Sequence, residues 1–199
     1  MKLNYDQLMM EEIGKLNGKK KLLLHSCCGP CSTACIERLR PFFEITVIYY
    51  NPNIEPKEEY EHRKKVQKEF LEKIDIPFIE SDYENESFLE KTKSLALEPE
   101  GGKRCPICFS LRLEYTANVA KKKGFDYFTT TLTVSPHKNS QIINSIGQEI
   151  EKKVGVKYLV ADFKKREGYK RSIELASEYV LYRQNYCGCH YSRRDNYEE

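Results

Sequence analysis

Lys20-Lys21-Leu22-Leu23-Leu24-His25-Ser26-Cys27-Cys28-Gly29-Pro30-Cys31 is the stretch whose reading decides the fold. Its apolar run is too short for a helix and ends in a glycine–proline turn that carries three thiols. Ser32 to Leu39 then follows a helical pattern that Pro41 stops. A strand that feeds a helix through the loop at its carboxyl end is the opening unit of a parallel sheet covered by helices.

The chain repeats this alternation. Further strands are expected at Glu44 to Asn51, Pro77 to Glu80, Tyr127 to Thr133 and Lys157 to Ala161. A helix opens near Pro56, with Val66, Phe70 and Ile74 spaced for one buried stripe. The segment from Glu84 to Gly102 reads as a helix followed by a mobile loop, and the next helix runs from Pro106 to Gly124. Ser135-Pro136 opens another, with Ile142, Ile143, Ile146 and Ile150 on one face, and a last one covers about Gly168 to Leu181. The expected class is α/β, a Rossmann-like parallel sheet with helices on both faces. With 199 residues there is room for one core, so residues 1–199 read as a single domain with a helical, cysteine-bearing tail at about 168–199.

Basic and acidic residues nearly cancel, 33 Lys and Arg against 30 Asp and Glu, which excludes a chain that binds nucleic acid through bulk charge alone. Met1 to Leu16 mixes charges into a helical pattern and lacks the apolar core of a secretory signal, and no run is apolar enough to span a bilayer. The expected compartment is the cytoplasm, with no membrane partner. Thiols stay reduced there, so eight cysteines point to metal or redox chemistry over disulfides.

Seven of the eight cysteines fall into three knots, Cys27-Cys28-Gly-Pro-Cys31, Cys105-Pro-Ile-Cys108 and Cys187-Gly-Cys189; Cys35 stands apart as a small core residue. For Cys105 and Cys108 taken alone, a metal site, a redox dithiol and an inert pair all remain open. The three knots together exceed the four ligands of one zinc, which favours a cluster with a neighbouring ion over a single structural metal. Loops after strands also carry Ser135-Pro136-His137-Lys138-Asn139 and Asp162-Phe163-Lys164-Lys165, at the edge where a parallel sheet binds its ligand. Neither GxGxxG nor GxxxxGK[ST] follows the first strand, so no ATP requirement is expected. His25, at the end of an apolar strand, reads more readily as a satisfied core histidine than as an acid or base. His137 could move a proton or bind an ion, and Asp162 could complete an iron site.

Five motifs in order resemble the QueH-type epoxyqueuosine reductases: His25-Ser-Cys27-Cys28-Gly-Pro-Cys31, Arg104-Cys105-Pro-Ile-Cys108-Phe-Ser-Leu-Arg112-Leu, Ser135-Pro-His137-Lys138-Asn139, Asp162-Phe163-Lys164-Lys165 with Gly168-Tyr169, and Leu181-Tyr182-Arg183-Gln184-Asn-Tyr186-Cys187-Gly188-Cys189. Two departures, Gly29 where such proteins often carry alanine and Phe109 where tyrosine is common, touch no expected ligand. The resemblance implies a fold like the adenine nucleotide alpha hydrolases and removal of the epoxide oxygen of epoxyqueuosine at the tRNA wobble position. It also implies a 4Fe-4S cluster with an additional mononuclear iron, and no cobalamin. On that reading Cys27, Cys28, Cys105 and Cys108 are expected to hold the cluster, with the second iron on Cys187, Cys189 and Asp162. Cys31 completes the ligand set, and His25, His137 and Tyr169 are the candidate proton sources. The partners implied are tRNA and an electron donor of unspecified identity.

From Lys164 to Arg171 five basic residues accompany one acid. A wobble base sits in a single-stranded loop, so Lys138, Lys164, Lys165, Arg166, Lys170, Arg171 and Arg183 are expected on the backbone, with Tyr169, Tyr182 or Tyr186 stacking on bases. Two other readings share these features: an ATP-dependent iron–sulfur tRNA-thiolating enzyme, and a zinc-stabilised RNA-binding module without catalysis.

Overall fold

The computed structural model describes residues 3–193; Met1, Lys2 and the last six residues, with the end of the expected 168–199 tail, lie outside the described residues. Strands β1 (Lys20–His25), β2 (Phe43–Tyr49), β3 (Phe78–Glu80), β4 (Tyr127–Thr130) and β5 (Lys157–Tyr158) form one sheet in the order β3-β2-β1-β4-β5, every pairing parallel. Chain order reverses direction beside β1, which puts the ligand crevice at the carboxyl ends of β1 and β4.

Helices α1 (Tyr5–Ile13), α2 (Gly29–Leu39), α3 (Lys57–Lys73), α4 (Asn85–Thr92), α5 (Arg104–Lys123), α6 (Ser140–Val154) and α7 (Gly168–Glu178) surround the sheet. The two-residue period of β1 divides them. Leu22 and Leu24 pack with Met9, Leu39 and Phe70 from α1, α2 and α3, whereas Leu23 packs with Leu113, Ile143 and Ile150 from α5 and α6. All three leucines are fully buried, each worth about 1.5–3 kcal/mol relative to exposure. Helices therefore cover both faces, as the strand–helix alternation requires.

Of the boundaries that differ from the sequence reading, those of β4, α6 and β5 have clear local reasons. β4 ends at Thr130, because Thr130 Oγ1 accepts the Leu132 N–H at 3.2 Å and turns 131–134 into a 3-10 helix. α6 starts at Ser140 and not at Ser135-Pro136; Asn139 is its cap, with Oδ1 accepting from the backbone N–H groups of Gln141 and Ile142 at 2.9 and 3.4 Å. β5 spans only Lys157–Tyr158, after which Asn144 takes over Ala161, accepting its N–H at 2.9 Å and donating to its carbonyl at 2.8 Å. The loop before α5 is not loose: Arg104 Nη1 donates to the carbonyls of Leu95, Ala96 and Glu98 at 2.8, 3.2 and 2.7 Å.

On α3 the buried side chains are Tyr60, Arg63, Gln67, Phe70 and Leu71, so the stripe shifts from the expected Val66–Phe70–Ile74 row and takes in two polar residues. Both of them reach the site.

Candidate metal centre

β1 runs into Ser26 and the first thiols, and Gln67 fixes the turn. Ser26 Oγ donates to Gln67 Oε1 at 2.5 Å, Gln67 Nε2 donates to Ser32 Oγ at 3.0 Å, and Asn51 Nδ2 holds the Ser26 carbonyl at 2.9 Å. Cys28 caps α2 in an extended conformation, which directs the first turn of that helix at the thiols. The Sγ atoms of Cys27, Cys28 and Cys31 all lie within 4.8 Å of one another, with Cys27 and Cys28 3.9 Å apart. Two thiolates at ~2.3 Å from one tetrahedral ion lie about 3.8 Å apart, so this trio is spaced for a single ion with an open fourth position. Gln184 Nε2 donates to Cys28 Sγ at 3.0 Å. Hydrogen bonds from Cys28 and Cys31 hold Cys27 well below the usual thiol range against its burial, with Lys138 and Arg112 adding positive potential. Burial pushes Cys28 up to about 12, opposite in direction to Cys27.

A second group forms where α5 meets the tail. Cys105 and Cys108 stand one turn apart at the start of α5, and Cys187 and Cys189 reach them from the tail; all four line one cavity of about 60 Å³. Arg63 straps the tail in place by donating to the carbonyls of Cys187 and Tyr186 at 3.2 and 3.4 Å, and the Glu55 N–H donates to the Gly188 carbonyl at 2.9 Å. Gly188 has φ +128°, a conformation that L side chains rarely adopt. Among the described residues, no second set of three ligand atoms closes to within 4.8 Å, so these four thiols stand wider than the trio. That wider spread suits a cubane, in which each thiolate binds a different iron. Arg112, 1% exposed, donates from Nη2 to Cys108 Sγ at 3.2 Å, and the Gly101 N–H reaches Cys105 Sγ at 3.2 Å. The donor set therefore fits an iron–sulfur cluster and one further ion, with a buried cation to offset thiolate charge.

A cleft of about 460 Å³ opens over both groups, lined by Cys27, Cys31 and Cys187 together with Arg112, Lys138, Tyr169, Arg183 and Gln184. Lys138 is half-buried and lines the cleft and the four-thiol cavity. Burial disfavours its charge, but Cys187, Cys27 and Cys31 outweigh this and raise its pKa. His137 is exposed and lines the same spaces. Arg183 sits over the Tyr169 ring at 5.4 Å.

The other expected site residues lie elsewhere. His25 is fully buried; Nε2 donates to the Tyr50 carbonyl at 3.0 Å, which leaves Nδ1 to accept from Thr130 Oγ1 at 2.9 Å. It is a satisfied core histidine, not a group facing the cleft. Asp162 is engaged by Ser140 Oγ at 3.0 Å and Lys164 Nζ at 3.2 Å, and lines with Lys165 a neighbouring cleft that shares His137, Lys138 and Asn139 with the four-thiol cavity. The basic run is not one patch. Arg166 pairs with Asp6 at 2.9 Å, Arg171 with Glu37 at 2.9 Å, Lys170 lies 3.9 Å from Glu167, and Lys165 is exposed. Cys35 donates to the Cys31 carbonyl inside α2.

Burial, and next the Arg112 charge, push His25 down from 6.5 to about 4. The unfolded chain therefore takes up this proton first, and the stabilisation is complete above pH 6.5 and lost as pH falls toward 4. A difference of this size is worth about 3 kcal/mol. Urea unfolding of metal-free protein should show wild type losing stability across that window relative to His25→Gln; parallel curves would contradict it.

A parallel sheet of this strand order with a three-thiol group at its carboxyl edge defines the class, an α/β protein with a candidate metal centre in its ligand crevice. The U34-tRNA thiolase NcsA from Methanococcus maripaludis, solved with its [4Fe-4S] cluster, superposes with TM-score 0.57 at 14% identity over 94% of this chain and 69% of that one. A predicted subunit of tRNA methyltransferase from Methanocaldococcus jannaschii gives 0.52 at 18% identity over 79% and 75%. At these identities the likeness concerns the fold. The family model for Epoxyqueuosine reductase QueH matches residues 22–195, and the chain belongs to that family. Curated members include those of Streptococcus pyogenes, 44% identical over 97% of this chain and 79% of that protein, and Staphylococcus epidermidis, 45% over 94% and 84%. The Thermotoga maritima member is 37% identical over 89% of this chain and 94% of its own length.

Proposed function

We propose that this chain is an epoxyqueuosine reductase that acts on tRNA, converting epoxyqueuosine at the wobble position into queuosine. The observation that carries the reading is a three-thiol group, spaced for one ion, facing a cleft of about 460 Å³ beside a four-thiol cavity, in a chain of this family. In the reaction both epoxide C–O bonds break, a carbon–carbon double bond forms, and two electrons and two protons carry the oxygen away as water. A 4Fe-4S cluster on Cys105, Cys108, Cys187 and Cys189 would supply electrons singly, and an iron on Cys27, Cys28 and Cys31 would act as Lewis acid toward the oxygen. This allocation follows the grouping of the thiols and leaves Asp162 with Ser140 and Lys164.

The chain's own side chains then have distinct tasks. Lys138, held protonated among the thiols, faces the cleft and is placed to give a proton to departing oxygen. Tyr169 and Arg183 form a stacked pair at the cleft wall, suited to the face of an unstacked base and its phosphate. Arg183→Gln with Lys165→Gln should weaken tRNA binding and flatten its salt dependence, measured by titration at several salt concentrations. Equal affinity at every salt concentration would remove these residues from the interface.

Anaerobic incubation of reconstituted protein with epoxyqueuosine-containing tRNA and a reductant, without ATP, should yield queuosine in the digested nucleosides. An intact cluster with no queuosine would overturn the reading. A product that requires ATP and contains sulfur would replace it with thiolation, and a colourless, iron-free protein that binds RNA would replace it with a zinc module.

A further inference from the structure

Asp6, in the first turn of α1, is 7% exposed and receives two guanidinium groups at once. Its Oδ1 accepts from Arg38 Nη2, in the last turn of α2, and its Oδ2 accepts from Arg166 Nε at 2.9 Å. These partners lie 32 and 160 residues away in the chain. Arg166 belongs to the turn that leads into α7, so one buried carboxylate ties that turn to two other elements.

The turn depends on outside support. Arg166 and Glu167 have φ of +53° and +58°, and among the described residues no other two adjacent non-glycine residues share a positive φ. Asp75 and Val180 each follow the end of a helix, where a left-handed residue is common. Arg166 and Glu167 instead precede one. Glu167, the N-cap of α7, is left-handed where an extended residue is usual, and it makes no side-chain capping bond. The Lys165 N–H donates to the Asp162 carbonyl at 3.0 Å and the Gly168 N–H to the Lys165 carbonyl at 3.1 Å, but neither bond engages Arg166. Strained backbone persists where its surroundings over-determine it, and such positions gather at ligand-binding sites.

This turn also sets the wall of the cleft. α7 begins at Gly168, packed so closely on Phe163 that a Cβ would lie 1.8 Å from the Phe163 carbonyl oxygen. Tyr169 follows, with Arg183 at 5.4 Å over its ring. On the other flank Lys164 Nζ donates to the Lys138 carbonyl at 3.1 Å. A displaced Arg166 therefore disturbs residues on both sides of the cleft.

We propose that Asp6 is a positioning residue for tRNA binding: through Arg166 it keeps the 163–168 turn in its left-handed shape and so fixes Tyr169 and Arg183 for the RNA. The inference rests on the functional reading above and needs no assignment of thiols to a metal.

The test is Asp6→Asn, read by titration with epoxyqueuosine-containing tRNA and by the split of KM from kcat. Asparagine offers one acceptor and sets its amide N–H groups against the second guanidinium, so one arm of the bridge is lost. Electrostatics alone predicts tighter binding, because a carboxylate near a polyanion has been removed. Positioning predicts the opposite, a rise in Kd and KM of about fivefold with kcat unchanged. Unchanged or tighter binding in the folded variant overturns the proposal, and so does a fall in kcat at constant KM. If Asp6→Asn does not fold, Arg166→Gln decides, since that side chain is 61% exposed. Its loss of affinity should vanish in a Tyr169→Ala, Arg183→Gln background, where the wall is already gone; additive losses overturn the proposal. Wild type that neither binds nor converts the tRNA refutes the functional reading and the proposal with it, a separately recognisable failure.

Discussion

Cys27→Ala is expected to abolish queuosine formation while leaving the 4Fe-4S spectrum in place. Cys27 is one of three thiols spaced for a single ion, and hydrogen bonds from its two neighbours, with the Lys138 and Arg112 charges, lower its pKa and favour its thiolate. Removing it takes away a direct ligand, so turnover should fall well beyond the ~10–100-fold that follows loss of an outer partner of a metal ligand. Iron content should drop by one per chain with sulfide unchanged. Cys108→Ala should do the reverse, losing sulfide and visible absorbance together. Loss of all iron and sulfide in Cys27→Ala would place the cluster on the first knot instead.

Gly168→Ala should destabilise the protein by more than about 3 kcal/mol, at or above the usual range for overpacking. A Cβ at this position would lie 1.8 Å from the Phe163 carbonyl oxygen. That oxygen cannot retreat easily. Phe163 is 2% exposed, its N–H donates to Thr133 Oγ1 at 3.3 Å, and the next N–H, of Lys164, donates to the Thr133 carbonyl at 3.2 Å. Any relief must displace the start of α7, which carries Tyr169 at the cleft wall. Gly29→Ala is the matched control, because its Cβ would meet Val66 and Leu181 side-chain atoms at 3.4 and 3.6 Å and the Gln67 Cα at 3.9 Å, all at ordinary contact distance or close to it. Urea midpoints should separate the two variants clearly; similar midpoints would mean that the Phe163 loop yields.

Much of the site was legible because thiols are scarce and their spacing is informative. The three knots, the helix after Cys28 and the position of both loops at the carboxyl edge follow from local pattern and from the rule for parallel sheets. Asp162 and His25 show the limit. Each stands at the end of a strand, as a catalytic residue would, yet Asp162 is taken up by Ser140 and Lys164, and His25 by Tyr50 and Thr130. The basic run from Lys164 to Arg171 looked like a phosphate-binding strip until Asp6 and Glu37, more than a hundred residues away in the chain, turned out to pair with Arg166 and Arg171. Arg63, Arg104 and Arg112 err in the opposite direction. Charged residues on helices read as solvated, and these three are among the largest fully buried side chains, because backbone carbonyls, from the distant tail for Arg63 and from the preceding loop for Arg104, and the Cys108 thiol for Arg112 receive their N–H groups.

By itself, the sequence determined the alternation of strands and helices, the thiol inventory and the family, since each depends on residue type and near-neighbour spacing. Which thiols share a cavity, that Lys138 stands among them, and that Asp6 bridges Arg38 and Arg166 were decided only by tertiary structure. Those properties depend on contacts between segments far apart in the chain, such as α3 with the tail, whose geometry no local period encodes.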